Sequence, residues 1–490
     1  MKNKIKNISI INIIYLIFLT IFIILSVILV KEIININILP NKYLIILIIL
    51  FLLLIMPSIL IIRKNGKVKN IFSVLFITLF IILSVLELFV LPKINKVNEF
   101  ISNNTKNSYT TNVYKVIVNK DSSYKNLSDI SGKEIVYYND LKDKNKLKEK
   151  IKNNIENPKL KETENVNDSL NEVKSNKDLI LIVNSGYYDS VSAIDLTFNK
   201  KTRVIASINV KEKNTLVKET SDVVTDKPFL LFVNGIDTRS GKLPARSLSD
   251  VNILMAVNPN THKILLVHIP RDSYVQLHGT TGLKDKLTHS GTTGGGITST
   301  IATIEDLMGL KINYYTRSNF NSVKTLVDQI GGIDIYNDQT FNITAWTDRA
   351  CSYTPGWNRN VDGRCSLAFS RERKSYEDGD RHRGRNQEQV IERVIEKFQK
   401  NPSLLNKYEE ILNSMNGTFE TNLSSKDITT LVKNQLNDNK KWNISEYNVT
   451  GTGDYTYSYS YPNRKLYVSQ VDYDSVKTAK SKIEEILNEK

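Results

Sequence analysis

The sequence predicts an α/β body carried on a three-helix membrane anchor. Three observations predict it. Long apolar runs fill the first ninety residues; short β-branched strands alternate with helix-like segments after them; and glycine, proline and asparagine punctuate the joins. At 490 residues the chain has room for more than one domain, and much of its 41% hydrophobic content is concentrated in the anchor.

Residues 8–30 and 43–62 carry no charge and are each long enough to cross a bilayer, which takes about 20 residues. Residues 70–91 form a third span with one acid, Glu87, near its outer end. No short apolar region followed by a small-residue cleavage site is present, so the spans are expected to be retained. Lys2, Lys4 and Lys6 precede the first span, and Arg63, Lys64, Lys67 and Lys69 separate the second from the third. The intervening loop holds only Lys31, Glu32 and Lys42. The positive-inside rule then puts the N-terminus in the cytoplasm and everything after about residue 92 outside.

That orientation decides how the net charge of +15 is read. A basic chain fits nucleic acid, an anionic membrane or another polyanion, but an extracytoplasmic body has no genome beside it, so nucleic acid is not expected as a partner. The scattered lysines match a chain rich in Lys, Asn and Ile throughout, whereas the arginine cluster at 371–385 does not.

Residues 93–108 read as a polar linker, and 98–225 as a small α/β accessory domain. Its strands are VYKVIV, KEIVYY, DLILIV and TRVIASINV, and the lysine-rich run 141–156 reads as an exposed helix. It carries no Ser/His/Asp set and no metal-ligand spacing, so a packing or positioning role is expected. From Lys227, PFLLFVNGID, SDVNILMAVNP and KILLVHIPRD read as three buried strands, which place Asp237, Asp250, Arg271 and Asp272 at strand ends, where ligands of α/β proteins collect. GTTGGG then leads into an amphipathic helix with a Thr298/Ser299 cap signal, and it lacks the P-loop lysine pattern. The five histidines show no metal spacing, and His289 reads as a structural hydrogen-bonder.

Two cysteines, Cys351 and Cys365, are too few for a structural zinc site; outside the membrane they are either a disulfide or two free thiols. SLAFS at 366–370 reads as a strand, so that Arg371 and Arg373, two residues apart, would share one face at its end. Gly379 and Gly384 read as breaks that shape the arginine run into an anion-binding loop, ahead of a helix beginning near QEQVIERV. The alternating tyrosines after residue 443 read as a sheet edge, and the last segment as a helix.

From about residue 226 to the end, these pieces resemble the LytR-CpsA-Psr family of membrane-anchored phosphotransferases. NGID at 234–237, SDVNILMAVNP, PRD at 270–272, KDKLTH at 284–289, LVDQIGGIDIY at 326–336, LAFSRER at 367–373 and DRHRGRNQ at 380–387 occur in order. The resemblance implies a catalytic domain over 226–490 with a central mixed sheet flanked by helices, following an anchor at 1–92, in an arrangement similar to capsule-attaching members of Gram-positive bacteria. It also implies transfer of a glycopolymer from an undecaprenyl-pyrophosphate or phosphate carrier to peptidoglycan, with Mg²⁺, or Mn²⁺ in its place. Matched residue by residue, Asp237 and Asp250 are the metal-associated acids, and Asp250, Arg271, Arg371 and Arg373 the catalytic set. Lys286, Asp380, Arg383 and Gln387 are further substrate-binding positions. One departure stands out: the family commonly has Arg directly before the Ser-Asp pair, whereas this chain has Leu248, and Arg246 is the nearest candidate for the phosphate contact. Asp272 and Asp380 are the candidates for a base. Two other functions fit the same residues: a regulatory protein that binds lipid-linked polymer without turnover, and a pyrophosphatase of the lipid carrier.

Overall fold

The computed structural model describes residues 10–36, 41–62, 67–105, 109–141, 143–195, 197–213, 225–236, 238, 243–292, 295–344, 350–377, 379–438 and 440–490. They fall into two compact units: residues 1–105 with 424–440, and residues 106–423 with 441–490.

The first unit contains α1 (Ile10–Ile36), α2 (Asn41–Ile62) and α3 (Lys67–Thr105), each long and apolar enough to cross a membrane. Their outward faces are Ile, Leu, Val and Phe, as a lipid environment requires. The inward seam is aromatic and polar. Phe22 stacks on Phe80 with ring centroids 5.0 Å apart, the Tyr15 hydroxyl donates to the Ser58 carbonyl at 2.8 Å, and Ser26 Oγ donates to Glu87 Oε1 at 2.6 Å. Polar contacts of this kind hold helices together where apolar burial cannot. The segment expected to be a linker from residue 93 is instead helical to Thr105, continuing α3 through Pro92.

In the second unit, β1 (Tyr109–Asn119), β2 (Glu134–Tyr137), α4 (Lys144–Asn154), β3 (Lys159–Glu162), α5 (Val166–Glu172), β4 (Ile180–Asn184), α6 (Ser185–Ile194), α7 (Phe198–Lys201) and β5 (Thr202–Lys213) form a five-stranded sheet, order β3-β2-β4-β1-β5, with its helices. Strand alternation splits its apolar residues between two cores. Tyr114, Val116 and Val118 pack with Leu147 and Ile151 of α4, while Ile117, Leu181 and Val183 pack with Leu170 of α5 and Val191 of α6. The four strands and the lysine-rich helix expected here are all present.

The chain continues through β6 (Phe229–Ile236), β7 (Ser249–Asn258), β8 (Lys263–His268), β9 (Ser273–Val275), β10 (Asp285–Lys286), α8 (Ile297–Met308), β11 (Tyr314–Asn319), α9 (Phe320–Gln329), β12 (Ile333–Asn337), β13 (Phe341–Ile343), β14 (Cys351–Tyr353), β15 (Gly356–Val361), α10 (Gly363–Arg371), α11 (Asp380–Lys400), α12 (Tyr408–Ser414), β16 (Phe419–Thr421), α13 (Ser425–Asp438, which belongs to the first unit and packs on α1 and α3), β17 (Asn443–Asn448), β18 (Gly451–Ser458), β19 (Tyr461–Val471) and α14 (Tyr473–Asn488). A mixed six-stranded sheet, order β16-β11-β6-β7-β8-β17, is central. On one face Phe232, Leu254 and Val267 pack against Ile301 and Ile304 of α8 and Ala479 and Ile483 of α14. The helix α11 lies against β7, β8 and β17.

Three expectations are corrected. SLAFS is not a strand but the body of α10: the Asp362 side chain caps it by accepting from Cys365 N–H at 2.8 Å, and Ser366, Phe369 and Ser370 repeat at helical spacing on its buried side. The helix after the arginine run starts at Asp380, seven residues before QEQVIERV begins at Gln387, so Gly384 is inside it. The cap of α8 is Gly296, not Thr298 or Ser299; its φ of 66° is a left-handed conformation, and a Cβ there would meet the Ala245 carbonyl at 2.4 Å.

Cys351 and Cys365 are bonded, with Cα atoms 5.4 Å apart. The bridge ties β14 to α10 across a cluster containing Phe341, Tyr353 and Phe369. A cross-link closing a loop of this size removes chain entropy worth about 3 kcal/mol. Replacing both cysteines by serine should destabilise the body by about that much, read as a lower urea midpoint of the detergent-solubilised chain; an unchanged midpoint would show that the bridge constrains nothing.

Candidate functional site at one edge of the mixed sheet

Register brings the functional strand ends together. Ile236 at the end of β6 pairs with Ser249 at the start of β7 and with Asn319 at the end of β11. The end of β8, His268, pairs with Ile253 of β7 and Asn448 of β17. One sheet edge therefore receives Ser249–Asp250, the Pro270–Asp272 turn and the β11–α9 junction.

Asp250 is the hub of that edge. Its Oδ1 accepts from Arg271 Nη1 at 2.6 Å and from Thr288 Oγ1 at 3.0 Å. Its Oδ2 has no hydrogen-bond partner among the described residues. A buried polar stitch supports the strand beneath: Asn234 Nδ2 donates to Ser249 Oγ, which donates to Asn252 Oδ1, both at 2.6 Å. Next along, Lys286 Nζ donates to Asp272 Oδ1 at 2.8 Å, with Arg271 Nε 3.8 Å from the same oxygen. Burial pushes the Asp272 carboxyl up, but the Lys286 and Arg271 charges, with Arg383 behind them, outweigh it and hold the group below the usual carboxylate range. Such a carboxylate is a weak base, which counts against Asp272 in that role.

The arginine run separates into different jobs. The Arg371 guanidinium, at the last residue of α10, lies 3.9 Å over the Phe320 ring at the β11–α9 junction, a cation–π contact on the same edge. Arg373 follows in an exposed turn rather than on a shared strand face. Arg383 projects from α11 close enough to Asp272 and His268 to shift both. Arg381 instead donates to the Gly451 carbonyl at 2.8 Å, and Arg385 contacts His382 Nδ1. Gly384 permits this geometry, since a Cβ there would meet the His268 ring at 2.5 Å. Gln387 is buried one turn further, and its Oε1 has no partner among the described residues.

Arg246 does not join this group. It is buried and its Nη1 lies 2.6 Å from Asp140 Oδ2, so the expected phosphate contact from this residue is turned towards the five-stranded sheet. Asp237 lies outside the described residues, as does the side chain of Asp380. Among the described residues no three His, Cys, Asp or Glu side chains gather as a metal site. The Asp250 carboxylate, with its Oδ2 unengaged, would suit Mg²⁺, an ion that takes one or two carboxylates and otherwise water or phosphate oxygens.

Sequence reading missed three supports. Thr288 orients Asp250. Asp285, buried, receives His289 Nδ1 at 2.7 Å, the Lys286 N–H at 2.8 Å and the Ser460 N–H at 2.8 Å, which sets where Lys286 starts. The i, i+4 spacing of Asp285 and His289 was the available signal. Glu388 is fully buried behind the site and accepts from Asn448 Nδ2 at 3.1 Å; burial, reinforced by Glu446, pushes its carboxyl up to about 9.

The profile of the LytR_cpsA_psr family matches residues 191–481. A Bacillus mycoides protein named polyisoprenyl-teichoic acid–peptidoglycan teichoic acid transferase TagU is 29% identical over 260 residues, covering 53% of this chain and 80% of its own length. The Enterococcus faecalis protein of the same name is 31% identical over 243 residues, covering 49% of this chain and 73% of its own. The crystal structure of B. subtilis TagV superposes with a TM-score of 0.45 at 26% identity, covering 54% of this chain and 98% of that one.

Glu388 gives a pH test. Its folded pKa of about 9 lies above the ordinary 4.5, so the folded chain binds more protons between those values and stability falls as pH rises across that window. Glu388→Gln removes the titration. The variant should gain on the wild type by on the order of 4 kcal/mol between pH 5 and pH 8, seen as diverging thermal midpoints; parallel midpoints across that range would show that Glu388 is not held neutral.

Proposed function

The chain belongs to the LytR_cpsA_psr family, and on that premise we propose that it is a transferase moving a glycopolymer from a polyprenyl-pyrophosphate carrier to peptidoglycan, on the outer side of the membrane. The polymer is of the capsular or teichoic-acid-like kind. The reading is supported most by one observation, the convergence of Asp250, Arg271, Asp272 and Lys286 within direct ion-pair distance at a sheet edge that Arg371 and Arg383 also reach.

A pyrophosphate esterified by prenyl on one side and polymer on the other is a compact dianion, and its transfer needs charge neutralised and groups aligned more than it needs a covalent nucleophile. Arg271, Arg371, Arg373, Arg383 and Lys286 are the residues that would clamp it; guanidinium forks match phosphate oxygens in pairs. The acceptor sugar hydroxyl attacks the phosphorus that bears the polymer. A new P–O bond forms, the bridging P–O bond to the lipid phosphate breaks, and the hydroxyl proton leaves to solvent or a nearby carboxylate. Positive charge around the bridging oxygen stabilises the departing prenyl phosphate. Mg²⁺, held by Asp250 and Asp237, would add charge neutralisation on the same oxygens. The three apolar helices would keep the site near a carrier whose lipid tail stays in the bilayer.

The detergent-solubilised chain, given a short-chain prenyl-pyrophosphate disaccharide, peptidoglycan oligomers and Mg²⁺, should yield a phosphodiester-linked product detectable by mass spectrometry. Asp250→Asn and Arg271→Ala should each lower its rate by about 100-fold or more while leaving the protein folded. Wild-type rates in both variants would sink the proposal. Phosphate released without acceptor would mark a pyrophosphatase, and tight binding with no turnover a holder of lipid-linked polymer.

A further inference from the structure

The segment leading into Asp250 is anchored from the five-stranded sheet. Arg246 Nη1 sits 2.6 Å from Asp140 Oδ2, and Arg246 Nη2 donates to the Asp140 carbonyl at 2.5 Å. Their side chains are 6% and 4% exposed. The Tyr114 hydroxyl donates to the other Asp140 oxygen, and Ala245 N–H donates to the Thr111 carbonyl of β1 at 3.4 Å. The following residues are held from the catalytic side: Ser247 N–H donates to the Gly291 carbonyl at 3.1 Å, and Ser247 Oγ accepts from Arg317 Nη2 at 2.9 Å. Ser249 belongs to the polar stitch under Asp250.

A buried ion pair is a poor way to gain stability, because desolvation offsets much of the attraction; its best-attested use is to fix one geometry. An arginine fork gripping a carboxylate and a carbonyl of the same residue fixes both distance and orientation. We propose that Asp140 is a positioning residue for the transfer reaction: through Arg246 it sets the path of residues 245–250 and so the placement of Asp250 against Arg271 and Thr288. The five-stranded sheet thereby becomes part of the reaction apparatus. The inference rests on the transferase reading for its kinetic half only.

The test uses the full chain in detergent and two readouts. Hydrogen–deuterium exchange of the peptide covering residues 245–252 should rise at least several-fold in Asp140→Asn, and stay near wild type in Asp140→Glu. In the same variants the turnover number should fall about tenfold or more for Asp140→Asn, with KM for the prenyl-pyrophosphate donor within about twofold, and recover in Asp140→Glu, since small misplacements at a reacting centre are costly in rate. Lys174→Met is the control, as it removes another ion pair of the same domain, Lys174 Nζ to Asp195 Oδ2 at 3.0 Å. It should change neither readout. Unchanged exchange in Asp140→Asn, or equal loss of turnover in Lys174→Met, would overturn the proposal. If the wild type forms no product, the exchange result still decides whether Asp140 holds the segment, and the failure belongs to the transferase reading alone. Should Asp140→Asn not fold, Arg246→Lys, which keeps the charge and loses the fork, carries the same comparison.

Discussion

The site depends on a constraint of like charge. Arg271, Lys286, Arg371 and Arg383 come to one sheet edge, and cations gathered there repel one another. Asp250 and Asp272 resolve this by taking Arg271 and Lys286 in direct ion pairs at 2.6 and 2.8 Å. Both carboxylates are mostly buried, so the attraction is less screened than at the surface. The same two pairs hold the arginine and lysine in defined positions, preorganisation of the kind the proposed phosphoryl transfer would use. Everything else at the edge serves those two acids: the Asn234–Ser249–Asn252 stitch fixes the strand under Asp250, and Asp285 fixes the backbone from which Lys286 extends.

Much of this was legible because it is local. The buried strands PFLLFVNGID, SDVNILMAVNP and KILLVHIPRD announce themselves by length, apolarity and their charged ends, and each became a strand of the central sheet. That their ends share one edge follows from antiparallel and parallel pairing of neighbours, which strand-end logic anticipates. Short apolar runs are harder. SLAFS is equally compatible with a buried strand and one turn-and-a-half of helix, and only Asp362 three residues before Cys365, a capping signal, could have decided it. Gly384 was read as a breaker because glycine weakens helices, yet the helix accepts that cost to lie directly on the His268 ring.

What could not be read is what depends on distant partners. Asp140 and Arg246 are 106 residues apart, and nothing in either neighbourhood marks them as a pair. Arg246 illustrates how sequence adjacency misleads: it stands two positions from the missing arginine, yet its guanidinium is paired with the buried Asp140. Leu248 offers no charge at that position, so in the proposed function the phosphate contacts would come from Arg271, Arg371, Arg373 and Arg383.

Behind that edge two buried ionisable groups are kept uncharged. His268 is wholly buried, and burial together with the Arg383 charge pushes its imidazole down to about 3, so it adds no positive charge to an already crowded cluster. Glu388, one turn beyond Gly384 on the same helix, has its carboxyl pushed up to about 9 by burial, so it adds no negative charge beside Arg383 at neutral pH. The field felt at the edge is then set by the arginines, Lys286 and the two aspartates that pair with them. An ionised Glu388 would place a negative charge behind the sheet, and a charged His268 would repel Arg383 from Asp272. Neutral packing of α11 against β8 thus keeps the charges at the edge as the ion pairs set them.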